Sequence, residues 1–189
     1  MQKKVDALNK NVVEMPQTQQ LLDACKKGDK EAFQRLYQLH VGRVYALCLR
    51  LTGRESLAEE ATQEVFIQVW KKLDNYRGES HFTTWLHRVA SNITISYLRS
   101  QKSFWKQMFS IEDQPRLELV AESDTHSIPF EQYVVRLPER ARMVFVLHAI
   151  EGYRHEEIAQ MMNIASGSSK AQFHRAKQLL KEWMGYSDD

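Results

Sequence analysis

Apolar residues in this chain recur every three or four positions, and no stretch alternates with a two-residue period for long enough to build a strand. A repeat near 3.6 residues puts one stripe of side chains on one face of a helix, and such stripes leave water by packing on one another. The expected fold is all-α. Seven glycines and four prolines are spread over 189 residues, and they fall where the repeat stops. Gly28 and Asp29 separate a short helix over residues 19–27 from a long one over 30–51, whose stripe is Phe33, Leu36, Tyr37, Val44, Leu47, Cys48 and Leu51. Gly53 closes it. A third helix is predicted from Ser56, where Glu59 three residues on has the form of a capping box, through Ala58, Ala61, Val65, Phe66, Val69 and Leu73. After a polar turn over 75–80, Phe82, Trp85, Leu86, Val89, Ile93 and Tyr97 mark a fourth helix reaching about Ser100.

The repeat fails from about Gln107 to Ser127, where Pro115 interrupts, and Pro129 follows. Charge breaks at the same place. Lys plus Arg exceed Asp plus Glu by only 26 to 24 over the chain, but residues 17–99 carry +3, residues 100–127 carry −2 and residues 128–189 sum to zero. The expectation is two small helical domains joined by a flexible acidic linker: an N-terminal extension over 1–17, a first domain over 18–100, a linker over 101–127 and a second domain over 128–189. In the second domain a short helix over 130–136 precedes another with Pro138 in its first turn; Met143, Val146, Leu147 and Ile150 form its apolar face, and Gly152 stops it.

The clearest local pattern is C-terminal. Residues 155–162 form a two-turn helix, Asn163, Ile164 and Ala165 a tight turn, and Ser166 is placed to cap a longer helix with Phe173, Ala176, Leu180 and Trp183 inward. Short helix, tight turn and basic helix have helix-turn-helix spacing. Ala159 falls where the two helices must approach closely, and Ile158 and Ile164 would pin the turn to the core. Residues 166–181 hold Lys170, Arg175, Lys177 and Lys181 without an acid. Duplex DNA calls for cations on its phosphates and short polar groups at base edges. Ser168, Lys170, Ala171, His174, Arg175 and Lys177, lying away from the apolar face, are the candidate DNA contacts; a solvated charged surface is the plain alternative.

The fourth helix and the turn before it interleave Tyr76, His81, Trp85, His87, Arg88, Asn92, Tyr97 and Arg99. Rings to stack on, cations and an amide suit single-stranded nucleic acid. Trp85 falls on the apolar stripe and reads as core, whereas Tyr76 in its glycine-containing turn has no helical partner in the pattern. The third helix opens with Glu55, Glu59, Glu60 and Glu64, with Gln63 among them. The helix dipole accounts for Glu59 and Glu60, while Glu64 and Gln63 suggest a partner with a basic surface. No glycine-rich phosphate loop, Gly-x-Ser-x-Gly elbow or His-Glu-x-x-His motif occurs, and the histidine spacing suits no metal, so neither an enzyme nor a cofactor or metal is expected. Two cysteines, Cys25 and Cys48, among apolar neighbours, with no signal-like or membrane-length apolar run, are the pattern of a soluble cytoplasmic protein.

Several motifs occur together in order: SLAEEATQEVFIQVW from Ser56 to Trp70, YRGESHFTTWL from Tyr76 to Leu86, LPERAR from Leu137 to Arg142 and EEIA from Glu156 to Ala159. In these the chain resembles the extracytoplasmic-function group of bacterial sigma-70 factors, over about residues 18–100 and 128–184. The resemblance implies a dissociable promoter-specificity subunit of RNA polymerase. It implies that Glu59, Glu60, Gln63 and Glu64 bind core polymerase, and that Tyr76, Arg88 and Asn92 open the −10 element and hold a flipped base. Ser168, Lys170, Ala171, His174, Arg175 and Lys177 would read the −35 duplex, with the linker threading toward the active-centre and RNA-exit channel. An anti-sigma factor is the further partner implied. The reading helix departs from the usual Gly-Thr-Val-Lys-Ser-Arg: residues 167–172 are Gly-Ser-Ser-Lys-Ala-Gln, so Ser169 stands for an apolar packing residue and Gln172 for an arginine. Residues 1–16 have no counterpart in the family pattern. The competing reading is a two-domain helix-turn-helix regulator that acts without being a polymerase subunit.

Overall fold

The computed structural model describes residues 16–108 and 130–185, with side chains described for 17–101 and 130–185. Eight helices and no strand occur among them. The N-terminal bundle comprises α1 (Pro16–Lys26), α2 (Lys30–Thr52), α3 (Glu55–Lys72) and α4 (Phe82–Met108), with a 3₁₀ turn over Leu73–Asn75 after α3. The C-terminal bundle comprises α5 (Phe130–Arg136), α6 (Glu139–Phe145), which continues through a π turn over Val146–Ile150, α7 (His155–Met162) and α8 (Ser166–Trp183).

Local chemistry sets the helix ends. Asp29 caps α2, its carboxylate accepting from the amides of Glu31 at 2.9 Å and Ala32 at 3.1 Å. Gly53 ends α2 at φ +67°, a left-handed conformation that favours glycine, and its amide donates to the Leu49 carbonyl at 2.8 Å. Leu36, Leu47 and Leu51 from α2, Val65 from α3 and Leu86 and Ile95 from α4 are fully buried between the helices. Each such side chain stabilises the fold by about 1.5–3 kcal/mol relative to exposure. Two polar groups enter this core with partners: Thr62 donates to the Ala58 carbonyl at 2.6 Å, and the Cys48 thiol lies 3.3 Å from the Thr94 hydroxyl. Burial pushes both cysteine thiols up, which leaves them unreactive packing groups.

Three expectations are corrected. Helix α3 begins at Glu55, not Ser56, and no Ser56 capping box forms: the turn from α2 is instead held by Thr52, whose hydroxyl donates to the Arg54 carbonyl at 3.1 Å. Helix α4 continues past Ser100 to Met108, because residues 101–108 hold neither glycine nor proline and simply extend the helix. The expected linker thus begins helical; the rest of it, 109–127, and most of the extension over 1–17 lie outside the described residues. Ala165, not Ser166, occupies the N-cap of α8, and the Ser166 hydroxyl donates to the Glu156 carboxylate at 3.3 Å.

The two bundles touch. Helices α5 and α6 lie against α2, and α7 lies against α4. At the centre of this contact Arg142 of α6, 6% exposed, sits over Gly53; a Cβ there would come within 2.6 Å of its guanidinium.

Candidate nucleic-acid interface

All six predicted −35 residues, Ser168, Lys170, Ala171, His174, Arg175 and Lys177, are exposed along α8. The opposite side of α8 is anchored by Ala176 and Leu180, both buried, with Phe173 half-buried. Ile158 is fully buried, as its place before the turn requires, while Ile164 is only half-buried. Asn163 makes the turn at φ +54°, a conformation asparagine tolerates. Lys177 is partly committed, its ammonium lying 5.2 Å from the Phe173 ring centroid.

The unusual Ser169 has a physical explanation. It is fully buried, and its hydroxyl lies 2.9 Å from Nδ1 of His155 on α7. The His155 ring stacks on His148 with centroids 4.1 Å apart, and His148 meets the Phe173 ring edge-on at 4.6 Å. Nδ1 of His148 donates to the Tyr153 carbonyl at 2.8 Å, since a carbonyl can only accept. A polar trio of Ser169, His155 and His148 therefore takes the place of one apolar contact at the helix crossing.

The N-terminal candidates divide. Arg88 and Asn92 are exposed one turn apart on α4, the Asn92 amide donating to the Arg88 carbonyl at 2.9 Å. Tyr76 is 4% exposed. Its ring packs at 5.5 Å from Phe82 and 5.6 Å from Trp85, its hydroxyl donates to the Ser80 carbonyl at 2.8 Å, and Lys26 donates to its carbonyl at 2.8 Å. Tyr76 therefore does have helical partners, which the linear pattern missed because they lie six and nine residues ahead across the turn. Its ring shapes the loop and is not displayed for stacking in this conformation. Trp85 is half-buried beside Phe82, in keeping with a core role.

On α3, Glu59 and Gln63 are exposed, Glu60 accepts from the Tyr97 hydroxyl, and Glu64 accepts from Gln68 at 2.8 Å. Burial raises the Tyr97 phenol above its ordinary value, and Glu60 adds to the shift. The same bundle exposes apolar residues that the sequence had not singled out, Leu39 at 61%, Ile67 at 48% and Trp70 at just over a third, and Tyr37, expected on the apolar stripe of α2, is as exposed as Trp70. Trp70 is braced edge-on by Phe33 at 4.7 Å, so its indole is rigidly presented. Alternation of buried and exposed positions within one helix is the signal that could have found them. Between the bundles lies a cleft of about 560 Å³ whose wall includes Arg43, Thr83, Thr84 and Arg88 from the N-terminal side. The two threonines precede Arg88 by about one turn of the same helix, whereas Arg43 on α2 is an addition to the candidate site that only the tertiary fold brings beside Arg88. No group of three or more metal-ligating side chains occurs among the described residues, nor a helix long and apolar enough to cross a membrane.

Comparison with known proteins supplies the family. Residues 36–104 match sigma-70 region 2, and residues 128–180 match sigma-70 region 4. The chain is 30% identical to the ECF RNA polymerase sigma factor SigM of Mycobacterium tuberculosis over 169 residues, covering 88% of this chain and 84% of SigM. The chain is an extracytoplasmic-function sigma factor. It is also 29% identical over 172 residues to the ECF sigma factor SigW of Bacillus subtilis, covering 83% of this chain and 91% of SigW. Among solved structures, the sigma factor RpoE of Bartonella quintana, in complex with the anti-sigma factor NepR, superposes with a TM-score of 0.57 at 19% identity. That likeness covers 82% of this sigma factor and 98% of RpoE, and it shows a shared fold. The two matched regions correspond to the two bundles, so the exposed faces of α4 and α8 belong to regions 2 and 4 of this sigma factor.

Proposed function

We propose that this sigma factor docks on core RNA polymerase through α3, opens the −10 element with α4 and reads the −35 duplex with α8. The observation that carries the assignment is the face of α8: six candidate residues exposed in one stripe, on a helix whose other side is packed in the domain core. Lys170 and Arg175 suit phosphates or guanine edges, and Ser168 and His174 are short enough to reach base edges. Arg88 and Asn92 supply a cation and an amide for a displaced strand. Tyr76 serves by holding the turn that leads into α4. Capturing an extruded base would recover part of the energy spent on unpairing, so strand selection and melting would be coupled. For the polymerase, Glu59, Gln63 and Glu64 offer charge, and Ile67 and Trp70 offer apolar area on the same helix.

The sigma factor carries no catalysis of its own in this reading: bond formation stays with the polymerase, in the cytoplasm where the template is. An anti-sigma partner is proposed from the fold shared with RpoE, whose structure was solved with NepR. Transcription by purified core polymerase on a promoter library tests the assignment. Promoter-dependent transcripts only when this chain is added are expected; duplex binding that needs no polymerase, with no initiation, would favour the regulator reading instead.

A further inference from the structure

The polar trio beneath α8 leaves two ring edges unused. Nδ1 of His148 donates to the Tyr153 carbonyl at 2.8 Å, and that bond fixes the neutral ring, with its single proton on Nδ1 and a lone pair on Nε2. Nδ1 of His155 lies 2.9 Å from the Ser169 hydroxyl, which can donate or accept, so that ring is free to hold either tautomer. Both side chains are half-buried, and with each Nδ1 committed to the protein the Nε2 edges remain for a ligand.

The pair stands where a duplex would pass. In a helix-turn-helix the second helix enters the major groove while the first crosses the phosphate backbone. His155 is the first residue of α7, His148 stacks on it with centroids 4.1 Å apart, and the charge of Lys170, a candidate DNA contact, reaches the His155 ring. A backbone phosphate met by Lys170 therefore comes up beside the stack. Phosphodiester oxygens accept hydrogen bonds and have none to donate, so neutral His148 offers them nothing at Nε2, whereas an imidazolium does.

The surroundings limit the charge to one. His148 from the π turn and Lys170 from α8 oppose a positive His155 ring, and Glu156 from its own helix favours one but already accepts from Ser166. Helix α4, which also lies against α7, brings no charge to that ring among the described residues. Around His148 lie the His155 and Phe173 rings, with Lys177 over Phe173. Two positive rings at 4.1 Å repel, so the stack has room for a single added proton.

We propose that duplex DNA is gripped by a contact outside α8, a backbone phosphate bound at Nε2 of His148, and that this contact takes up one proton, shared with the stacked His155. The place of the phosphate rests on the assignment of α8 to the −35 duplex; the need for a proton rests on the Tyr153 bond. The complex then holds a proton that the free chain lacks near neutral pH. Affinity rises as the pH falls, until the free stack is charged as well and the gain stops.

The test uses the full chain and a fluorescein-labelled random-sequence DNA duplex, because a backbone contact is indifferent to sequence. Fluorescence anisotropy at constant ionic strength, in buffers on either side of pH 6.5, should show binding about fivefold tighter on the acid side. The slope of log affinity against log salt should also steepen there by about 0.9, the mark of one more phosphate contact. Both responses should vanish in His148→Gln, whose amide can still donate to the Tyr153 carbonyl, and survive in His174→Gln, which removes the histidine on the α8 face. A pH-independent unmodified chain, a response that His148→Gln leaves intact, or no duplex binding at low salt would overturn the proposal. Should His148→Gln fail to fold, the salt slope of the unmodified and His174→Gln chains decides: a slope that does not change with pH overturns it. Weakening by Arg175→Ala without any pH response would leave α8 as the duplex reader and remove only the histidine contact. A response through His148 in a chain indifferent to Arg175→Ala would keep the phosphate at the stack and remove α8 from the groove.

Discussion

The Ser169 hydroxyl on α8 and Nδ1 of His155 on α7 lie 2.9 Å apart, tying the two helices of the helix-turn-helix through a buried polar contact. Ser169→Ala should lower stability by about 1 kcal/mol in urea unfolding. Ser169→Val restores the apolar residue common in the family but leaves the histidine without its partner and adds volume at a fully buried site. It should destabilise more than alanine does, and a stabilising valine would show that the polar trio is not what orders the crossing.

Protonation should strain the same contact. Desolvation first, then the neighbouring His148 and Lys170, hold His155 below its ordinary value of 6.5. Above that value neither the folded nor the unfolded chain carries this proton, so nothing is lost. As pH falls through it, the unfolded chain protonates first and folding weakens, until the folded ring is charged as well. The urea midpoint of the C-terminal bundle should therefore drop as the pH falls through 6.5, and drop less in His155→Gln. An equal drop in both chains would place the linkage elsewhere.

Tyr76 and Asn92 should separate in mutation. Truncating a buried aromatic costs about 3–5 kcal/mol, so Tyr76→Ala should lower thermal stability and damage polymerase binding along with promoter opening. Asn92→Ala alters an exposed side chain; melting temperature and core binding should hold while permanganate footprints of the open complex weaken. Matching profiles for the two variants would sink this distinction.

Cations on α8 should act through phosphates or bases. Each phosphate contact removed by Lys170→Ala or Arg175→Ala should shrink the slope of log affinity against log salt by about 0.9 on −35 duplex DNA. Initiation from a pre-melted template that lacks the −35 duplex should be unaffected. Equal loss on that template would argue for a folding role.

Gly53→Ala should loosen the domain contact. Its φ of +67° disfavours a side chain, and the added Cβ would meet the Arg142 guanidinium at 2.6 Å. A loss of about 1–2 kcal/mol in stability is expected, together with faster amide exchange at the end of α2. An unchanged exchange pattern would mean that Arg142 can move aside at no cost.

Helix periodicity made the eight helices legible, because each stripe reports its own burial regardless of the rest of the chain. The exposed face of α8 followed from the same logic. What escaped was set by contacts distant in sequence. Tyr76 looked unpartnered because Phe82 and Trp85 reach it only after the turn folds back, and Arg142 gave no sign in the LPERAR run that its partners would be carbonyls about ninety residues earlier. Ser169 read as a defect until His155 was beside it. Among the α3 residues, Ile67 and Trp70 lie off the stripe of Ala58, Ala61, Val65, Phe66 and Val69, and spacing alone did not mark them as exposed apolar side chains.

The continuation of α4 to Met108 has a bearing on reach. A helix advances 1.5 Å per residue where an extended chain covers more than twice that, so the eight added residues shorten the leash between the domains. From Met108 to Phe130 the remaining 21 residues can stretch to at most about 75 Å. With α4 on the −10 strand and α8 on the −35 duplex as proposed, this length bounds the widest spacer that one molecule can bridge.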